Sequence, residues 1–298
     1  MKTHRFLVWD AFTDTAFEGN PCGIVPDADD LSDETMLKIA RELNLPETSF
    51  ILRSNVADFR VRYFMPRGEL GFAGHPTIAT AFMLAKEGMI NLKNDVNTIK
   101  LEFKIGVLPV DIHVVDGKPT QVVMTLSSPT FDAIVSPAEA AECFVNLSKD
   151  DIVAGCEPQV VGAGTKFLVI PLNSFEKLKT MEMNRPKLTE VVDRVGVSAA
   201  YLFTMKKGTN GDVLCARLAD PRGTFEDPFT GSGMGAAGVY LIHNGMTDQT
   251  EINLEQGEFV GRPGFGKLFI KHNNRKIEKM QLAGRATKVS DGLLFFDE

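Results

Sequence analysis

The chain has 298 residues, a formal net charge of −7 at pH 7 and no run of lysine and arginine, so nucleic acids and membranes are poor partners for it. Its four cysteines form no CxxC pair, which argues against a zinc site and against a disulfide framework. The first twelve residues hold only a four-residue apolar run, and no stretch approaches the length of a membrane span, so we expect a cytoplasmic protein.

The first half of the chain predicts strands and two helices of different character. Segment 31–44 is amphipathic, and Ser32 can cap its start. The second helix, from about His75 to Lys86, is apolar nearly all round and should therefore be buried on all sides. Strands are predicted at 5–12, 22–26, 48–53, 59–65, 98–103, 107–115 and 120–127, and the last three of these segments alternate apolar and polar residues.

The second half follows a similar order. A short helix is predicted at 187–196, and a second apolar helix runs from about Ser232 to His243. Strand material is predicted at 160–172, 199–205, 212–219, 266–272, 276–282 and 292–298. Each half thus reads as strand, helix, two strands, turn and buried helix.

The two apolar helices begin alike, and the turns before them are also alike. Gly74 and Gly231 lie at equivalent helix starts, 157 residues apart. Upstream, "MPRGEL" and "DPRGTF" place Pro66 and Pro221 at a separation of 155 residues. This internal repeat predicts an α+β fold made of two similar, duplicated domains. Each domain is expected to be a curved, mostly antiparallel sheet wrapped around its apolar helix.

The predicted boundary between these domains lies where the sequence is richest in turn-forming residues. It falls in the turn-rich segments around 116–120 and 127–130, so we assign residues 1–125 and 126–298 to the two halves. An alternative for the last strand, about 286–298, is that it packs back on the first half.

Helices that start in glycine-rich turns have a chemical consequence. The first N–H groups of a helix lack partners inside the helix, and the helix dipole adds partial positive charge there. Glycine lets a ligand approach this backbone closely, so such a start can bind a carboxylate without lysine or arginine. The alternative is that Gly74 and Gly231 only permit tight turns. Their repetition, with His75 and Ser232 directly after them, favours the binding role.

The repeat is asymmetric at Glu47, whose place in the second copy is taken by Ala199 or Ala200. If this carboxylate lies against an apolar wall, it loses hydration, and its pKa should rise towards neutrality as a general acid–base group requires. The alternatives are sequence drift and a solvated charge at a helix exit, which is the usual fate of an isolated glutamate.

Five motifs in order carry a resemblance to a known family. They are "FEGNPCGIV", "IARELNLPETSFIL", "RYFMPRGELGFAGHPT", "EDPFTGSGMGAAG" and "QGEFVGRP". From about residue 6 to Gly292 the chain resembles the PhzF-like phenazine-biosynthesis family, which has the diaminopimelate-epimerase fold. The resemblance implies a homodimer that needs no cofactor and no metal.

The best-understood member of that family isomerises trans-2,3-dihydro-3-hydroxyanthranilate by moving a proton within the ring. The resemblance therefore implies a cofactor-independent isomerase acting on a small cyclic or amino carboxylic acid. Carried over motif by motif, the catalytic residues are Glu47, His75 and Asp227. The substrate-binding residues are Asn20, Gly74, Gly231 and Ser232. For Asp227, a structural role in the turn before Pro228 is the alternative.

The chain departs from its epimerase relatives at one point, because those enzymes place a cysteine before each helix-leading glycine. Ala73 and Thr230 occupy these positions here, which argues against racemisation by two thiols. Cys22 is expected to be a buried packing residue. Other readings stay open: a lyase or epimerase acting on another small carboxylate, or a non-catalytic binder of small acidic metabolites.

A dinucleotide site is a further competitor, because the segment 233–238 literally fits GxGxxG. That fingerprint requires a strand leading straight into the turn and alternating strand–helix units afterwards. The preceding "EDPFT" is a proline-containing loop, so we interpret the match as fortuitous.

Overall fold

The computed structural model describes residues 1–209 and 211–297. The chain forms two compact units, one of Met1–Thr125 with Ala283–Glu298 and the other of Leu126–Leu282. The predicted last strand ends at Glu298, which lies outside the described residues.

Strands dominate both units. In chain order they are β1 Lys2–Ala11, β2 Asn20–Val25, β3 Glu47–Leu52, β4 Phe59–Met65, β5 Gly68–Leu70, β6 Val96–Phe103, β7 Gly106–Val115, β8 Lys118–Thr125, β9 Thr130–Ile134, β10 Gln159–Gly162, β11 Lys166–Pro171, β12 Ala200–Gly208, β13 Gly211–Ala219, β14 Glu251–Gln256, β15 Gly264–Asn273, β16 Lys276–Gly284 and β17 Ala286–Phe296.

The helices are few, and two of them are apolar. They are α1 Asp33–Leu43, α2 Gly74–Lys86, α3 Pro137–Glu142, α4 Phe175–Lys179, α5 Arg185–Arg194 and α6 Gly231–His243. The mixed α+β class expected from the sequence is therefore confirmed. A lipid bilayer could not be spanned by any helix among the described residues, since none combines sufficient length with sufficient apolarity.

In the first unit, β1 pairs antiparallel with both β2 and β17. β2 runs parallel to β3, β3 antiparallel to β4, and β4 parallel to β6. β6, β7 and β8 then follow as an antiparallel meander. The predicted cap of α1 is confirmed, because the Ser32 side chain accepts a hydrogen bond from the Thr35 N–H.

Helix α2 is the centre of the first unit. Every residue from His75 to Ala85 is buried, as the all-round apolar pattern predicted. The helix packs against β1, β2, β3, β7, β8 and β17. Two of these strands, β2 and β3, carry the predicted site residues Asn20 and Glu47.

In the second unit, β10 pairs antiparallel with β9 and β11. β11 runs parallel to β12, β12 antiparallel to β13, β13 parallel to β14, and β14 antiparallel to β15. Helix α6 is buried from Gly233 to Ile242 and packs against β10, β11, β12, β13 and β15.

The structure differs from the sequence prediction in local details. The predicted strand material at 160–172 is a hairpin of β10 and β11 that turns at Gly164, where φ is +120°. β14 was not predicted, nor were α3 and α4. Those two helices have six and five residues, too few to show a helical period.

Candidate active site

Three predicted site residues lie at the starts of neighbouring elements in the first unit. Asn20 is the first residue of β2, Glu47 is the first residue of β3, and His75 is the second residue of α2. Because β2 and β3 are parallel, with Cys22 opposite Glu47, the starts of both strands meet at one edge of the sheet.

These three side chains form a row. The Asn20 Nδ2 atom lies 3.1 Å from His75 Nδ1, and His75 Nε2 lies 3.2 Å from Glu47 Oε2. Asn20 is fully buried, whereas the side chains of His75 and Glu47 are 7% and 16% exposed. Glu47 is thus the member of the row that reaches solvent most, so it is the one that a ligand can contact first.

His75 is neutral at physiological pH. Burial lowers its pKa to about 3, because the charged imidazolium loses hydration, while a hydrogen bond to the backbone carbonyl of Pro21 acts in the opposite direction. The contact with Glu47 therefore joins a neutral imidazole to a carboxyl group at pH 7. A neutral imidazole has one N–H donor and one acceptor nitrogen, so it can orient a neighbouring carboxyl group.

Buried hydroxyl groups hold α2 against the sheet. Thr80 Oγ1 donates to Ser49 Oγ over 2.9 Å, two residues beyond Glu47 on β3. Thr77 Oγ1 donates to the Ala73 carbonyl over 2.7 Å and also lies 2.9 Å from the hydroxyl of Tyr63. The buried contacts of Thr80 with Ser49 on β3 and of Thr77 with Tyr63 on β4 fix the first two turns of α2 relative to Glu47.

The start of α2 has the properties expected of an anion-binding helix end. Ala73, the residue before the helix, has no side-chain oxygen that could cap it, and the first turn contains no acidic residue. Gly74 is half-buried there. The first backbone N–H groups and the helix dipole therefore favour a negatively charged group at this end.

Cys22 is a packing residue, as predicted. It is fully buried, and burial raises its pKa well above the ordinary value, with the charge of Glu47 adding to the effect. The thiol is accordingly protonated and is not a nucleophile at neutral pH.

The second unit brings together the other predicted residues, Asp227, Gly231 and Ser232. Thr230 Oγ1 donates to Asp227 Oδ2 over 2.6 Å. Gly231 is buried and Ser232 is half-buried in the first turn of α6, which contains no acidic residue. Asp227 is therefore tied to the start of α6 through Thr230, the residue that stands where the epimerases have cysteine.

One functional candidate was missed from the sequence. Gln256 is 3% exposed at the end of β14, and its Nε2 donates to the Asp227 carbonyl over 2.7 Å. The signal available was its place in "QGEFVGRP", a motif quoted for the resemblance without a role for this glutamine.

The glycines of the GxGxxG match are packing residues. All three lie inside α6, where a Cβ on Gly233 would come within 2.5 Å of the Tyr201 ring. A Cβ on Gly238 would come within 2.1 Å of Leu268, and one on Gly235 within 2.5 Å of Leu126. The missing side chains let strands pack closely on the helix, which gives a structural reason for the spacing. Within the described part of the chain there is also no cluster of three or more His, Cys, Asp or Glu residues that could hold a metal ion.

An α+β fold that sets a carboxyl group beside a neutral imidazole at a helix start provides the elements of a general acid–base enzyme. Comparison with known proteins narrows this class. The chain belongs to the PhzC-PhzF family of phenazine biosynthesis-like proteins, whose family model matches residues 9–292.

Individual relatives agree with this assignment. The chain is 31% identical over 276 residues to the uncharacterized isomerase YfhB of Bacillus subtilis strain 168, covering 92% of both chains. It is 29% identical over 292 residues to trans-2,3-dihydro-3-hydroxyanthranilate isomerase of Pseudomonas aeruginosa PAO1, covering 97% of this chain and 98% of that one.

A solved structure extends the similarity to three dimensions. The crystal structure of a PhzF-family phenazine biosynthesis protein from Bacillus anthracis matches with a TM-score of 0.87 and 28% identity, covering 99% of this chain and 100% of that one. The predicted family is confirmed, and the relatives named as isomerases confirm the predicted enzyme class.

Proposed function

We propose that the protein is a cofactor-independent isomerase that moves a proton on a small cyclic or amino carboxylic acid. The reaction type is that of trans-2,3-dihydro-3-hydroxyanthranilate isomerase, the activity named for the relative from Pseudomonas aeruginosa. The observation that carries this proposal is the 3.2 Å contact between Glu47 Oε2 and His75 Nε2 at the start of α2.

Glu47 is proposed to be the general acid–base. It removes a proton from an acidified carbon of the substrate and returns a proton at another carbon, so one carboxyl group performs both steps. A correctly positioned group of this kind contributes roughly 10²–10⁴ in rate. His75 is proposed to orient Glu47 and to bind the amine or hydroxyl group of the substrate, and Asn20, which is fully buried, is proposed to hold the His75 ring.

The helix starts are proposed to bind the anionic part of the substrate. At α2 this role falls to the amides around Gly74, and at α6 to those around Gly231 together with the Ser232 hydroxyl. Asp227 is proposed to bind the amine or hydroxyl group or to relay a proton.

We also propose that the two halves arose by duplication, each as a curved sheet around its helix. The pairing order supports this: parallel, antiparallel, parallel and antiparallel along β2, β3, β4, β6 and β7, and again along β11, β12, β13, β14 and β15.

Two matched ion pairs support the duplication further. Arg62 Nε lies 2.7 Å from Glu69 Oε1, and Arg217 Nε lies 3.0 Å from Glu226 Oε1. The two arginines are 155 residues apart and the two glutamates 157, which are the separations of the repeated prolines and glycines. Each pair precedes an apolar helix.

The homodimer implied by the resemblance is part of the proposal. Leu293 and Phe295 on β17 are 53% and 59% exposed, and exposed apolar rows of this kind favour protein contacts. Light scattering should give twice the chain mass of 32.7 kDa, and a mass of a single chain would contradict it.

The residues of the site argue against two alternative functions. An epimerase with two thiol bases requires cysteines where this chain has Ala73 and Thr230. A passive binder of acidic metabolites gains nothing from a carboxyl group in its site, since like charges repel.

The test is proton NMR of the purified protein with trans-2,3-dihydro-3-hydroxyanthranilate. We expect conversion by the wild type and loss of at least about 10²-fold in Glu47→Gln. A wild type that leaves the compound unchanged would refute this substrate, and a screen of small cyclic and amino carboxylic acids would follow. Binding without conversion of any of them would favour the passive binder.

A further inference from the structure

Gln256 uses its whole hydrogen-bonding capacity inside the second unit. Its Oε1 accepts from the Tyr201 hydroxyl over 2.7 Å and from the Thr230 N–H over 2.9 Å. Its Nε2 donates to the Asp227 carbonyl over 2.7 Å and to Thr230 Oγ1 over 3.2 Å. An amide side chain has two acceptor and two donor positions, so all four are occupied and only one orientation of the amide satisfies them.

This arrangement fixes the direction of every hydrogen bond as far as Asp227. Burial raises the pKa of Tyr201 well above its ordinary value, with the charge of Asp227 adding to the effect, so the phenol remains a donor. Since Thr230 Oγ1 accepts from Gln256, its own proton points to Asp227 Oδ2, which lies 2.6 Å away. Asp227 is thus held at two points. Thr230 donates to one oxygen of its carboxylate, and Gln256 donates to its backbone carbonyl.

The backbone after Gln256 is pressed against the same loop. Gly257 has φ +90°, and a Cβ there would come within 2.2 Å of the Arg262 carbonyl oxygen and 2.6 Å of the Pro228 carbonyl oxygen. Only glycine fits this position without moving the loop that carries Asp227. The backbone next to Gln256 is therefore held against the loop that carries Asp227.

A second anchor holds the loop on the other side of Asp227. Glu226 forms a bidentate ion pair with Arg217, at 3.0 Å and 2.7 Å, and both side chains are about seven-eighths buried at 14% and 13% exposed. Arg217 also donates to the carbonyls of Leu178 and Lys179. The residue before Asp227 and the residue three positions after it are therefore both fixed.

We propose that Gln256 is a positioning residue, which sets the Asp227 carboxylate and the Thr230 N–H, directly before α6, in the geometry needed for the reaction. The inference rests on the proposed function, because that proposal gives Asp227 contact with the substrate. A displacement of about 1 Å in such a group can cost on the order of 10² in rate.

The test compares Gln256→Glu with Gln249→Glu, a matched change at an exposed glutamine. Glutamate keeps the size and the acceptor oxygen but replaces the Nε2 donor with a second acceptor. The Thr230 hydroxyl then turns to the new carboxylate and leaves Asp227. If Gln256→Glu proves too unstable to purify, Thr230→Val removes the same link from the other side. Thr230→Ser keeps the hydroxyl group and is the control for Thr230→Val.

Two readouts separate positioning from general stability. In a double-mutant cycle on kcat/KM, Gln256→Glu should lower the value about 10²-fold, and adding it to Asp227→Asn should cost little more, because both changes act through one carboxylate. Hydrogen exchange is measured on Gln256→Leu, which also removes the Oε1 acceptor of the Thr230 N–H; exchange should rise at Thr230 while the remainder of α6 and β12 stays protected. Gln249→Glu should match the wild type in both readouts, and Thr230→Ser should retain most activity.

Three results would overturn the inference: wild-type activity in Gln256→Glu, full additivity with Asp227→Asn, or faster exchange throughout the second unit. If the wild type does not convert the test substrate, the proposed function fails first. The hydrogen-exchange measurement then tests the positioning role separately. An unchanged exchange rate at the Thr230 amide refutes that role, and faster exchange confined to this amide supports it.

Discussion

The buried, neutral His75 makes a quantitative prediction about stability at low pH. Its pKa is about 3 in the folded protein and close to 6.5 in an unfolded chain. Between these two values the unfolded state binds the extra proton, so the free energy of unfolding must fall as the pH falls from about 6.5 towards 3. The effect is small above pH 7, where both states hold a neutral imidazole.

The size of the effect follows from the two pKa values. Between pH 7 and pH 5 His75 alone should lower the free energy of unfolding by about 2 kcal/mol. Replacing it in His75→Gln removes this contribution. The variant should be less stable than the wild type at pH 7, because it loses the contacts to Asn20 and Glu47, but it should lose about 2 kcal/mol less on acidification.

Trp9 makes the measurement direct. It is the single tryptophan of the chain, is 3% exposed on β1 of the first unit, and pairs with Cys22 on β2. Urea unfolding followed by the fluorescence of Trp9 at several pH values gives the free energy of unfolding as a function of pH for the wild type and for His75→Gln. His113→Gln on β7 controls for the loss of a histidine as such. Parallel pH profiles for the wild type and His75→Gln, or an equal change in His113→Gln, would refute the reasoning.

Three further predictions concern both units. Asp227→Asn should lower kcat/KM by about 10²-fold with little change in melting temperature, and unaltered kinetics would leave Asp227 a turn residue only. Gly233→Ala should destabilise the protein by about 1–3 kcal/mol, because the new methyl group meets the Tyr201 ring; an unchanged melting curve would mean that the ring can move. Cys22→Ser should retain most activity, and the native thiol should resist a thiol reagent until urea is added; inactivation by that reagent in the native state would contradict a purely structural Cys22.

Sequence reasoning succeeded where a motif and a helix period coincided. The apolar pattern around His75 and the glycine before it located a buried helix and its start. The neutral state of that histidine could not be predicted, because it depends on burial by strands far away in the chain.

The strand β14 and Gln256 were missed for the same physical reason. In "EINLEQ" the inward positions are Ile252, Leu254 and Gln256, and the polar third member interrupts the apolar alternation that marks a strand. Its partner Tyr201 lies 55 residues away in the sequence, so no local pattern could predict a buried amide there. The same buried glutamine, Gln256, that interrupts the strand pattern is the residue that we propose positions Asp227.

The central claim is that Glu47 moves the proton, and solvent deuterium tests it most directly. The wild type and Glu47→Gln are incubated with trans-2,3-dihydro-3-hydroxyanthranilate in D₂O and followed by NMR, with Glu47→Asp as the variant that retains a carboxyl group. The account predicts product formation by the wild type, slower turnover by Glu47→Asp and none above background by Glu47→Gln. Turnover by Glu47→Gln at the wild-type rate would contradict it.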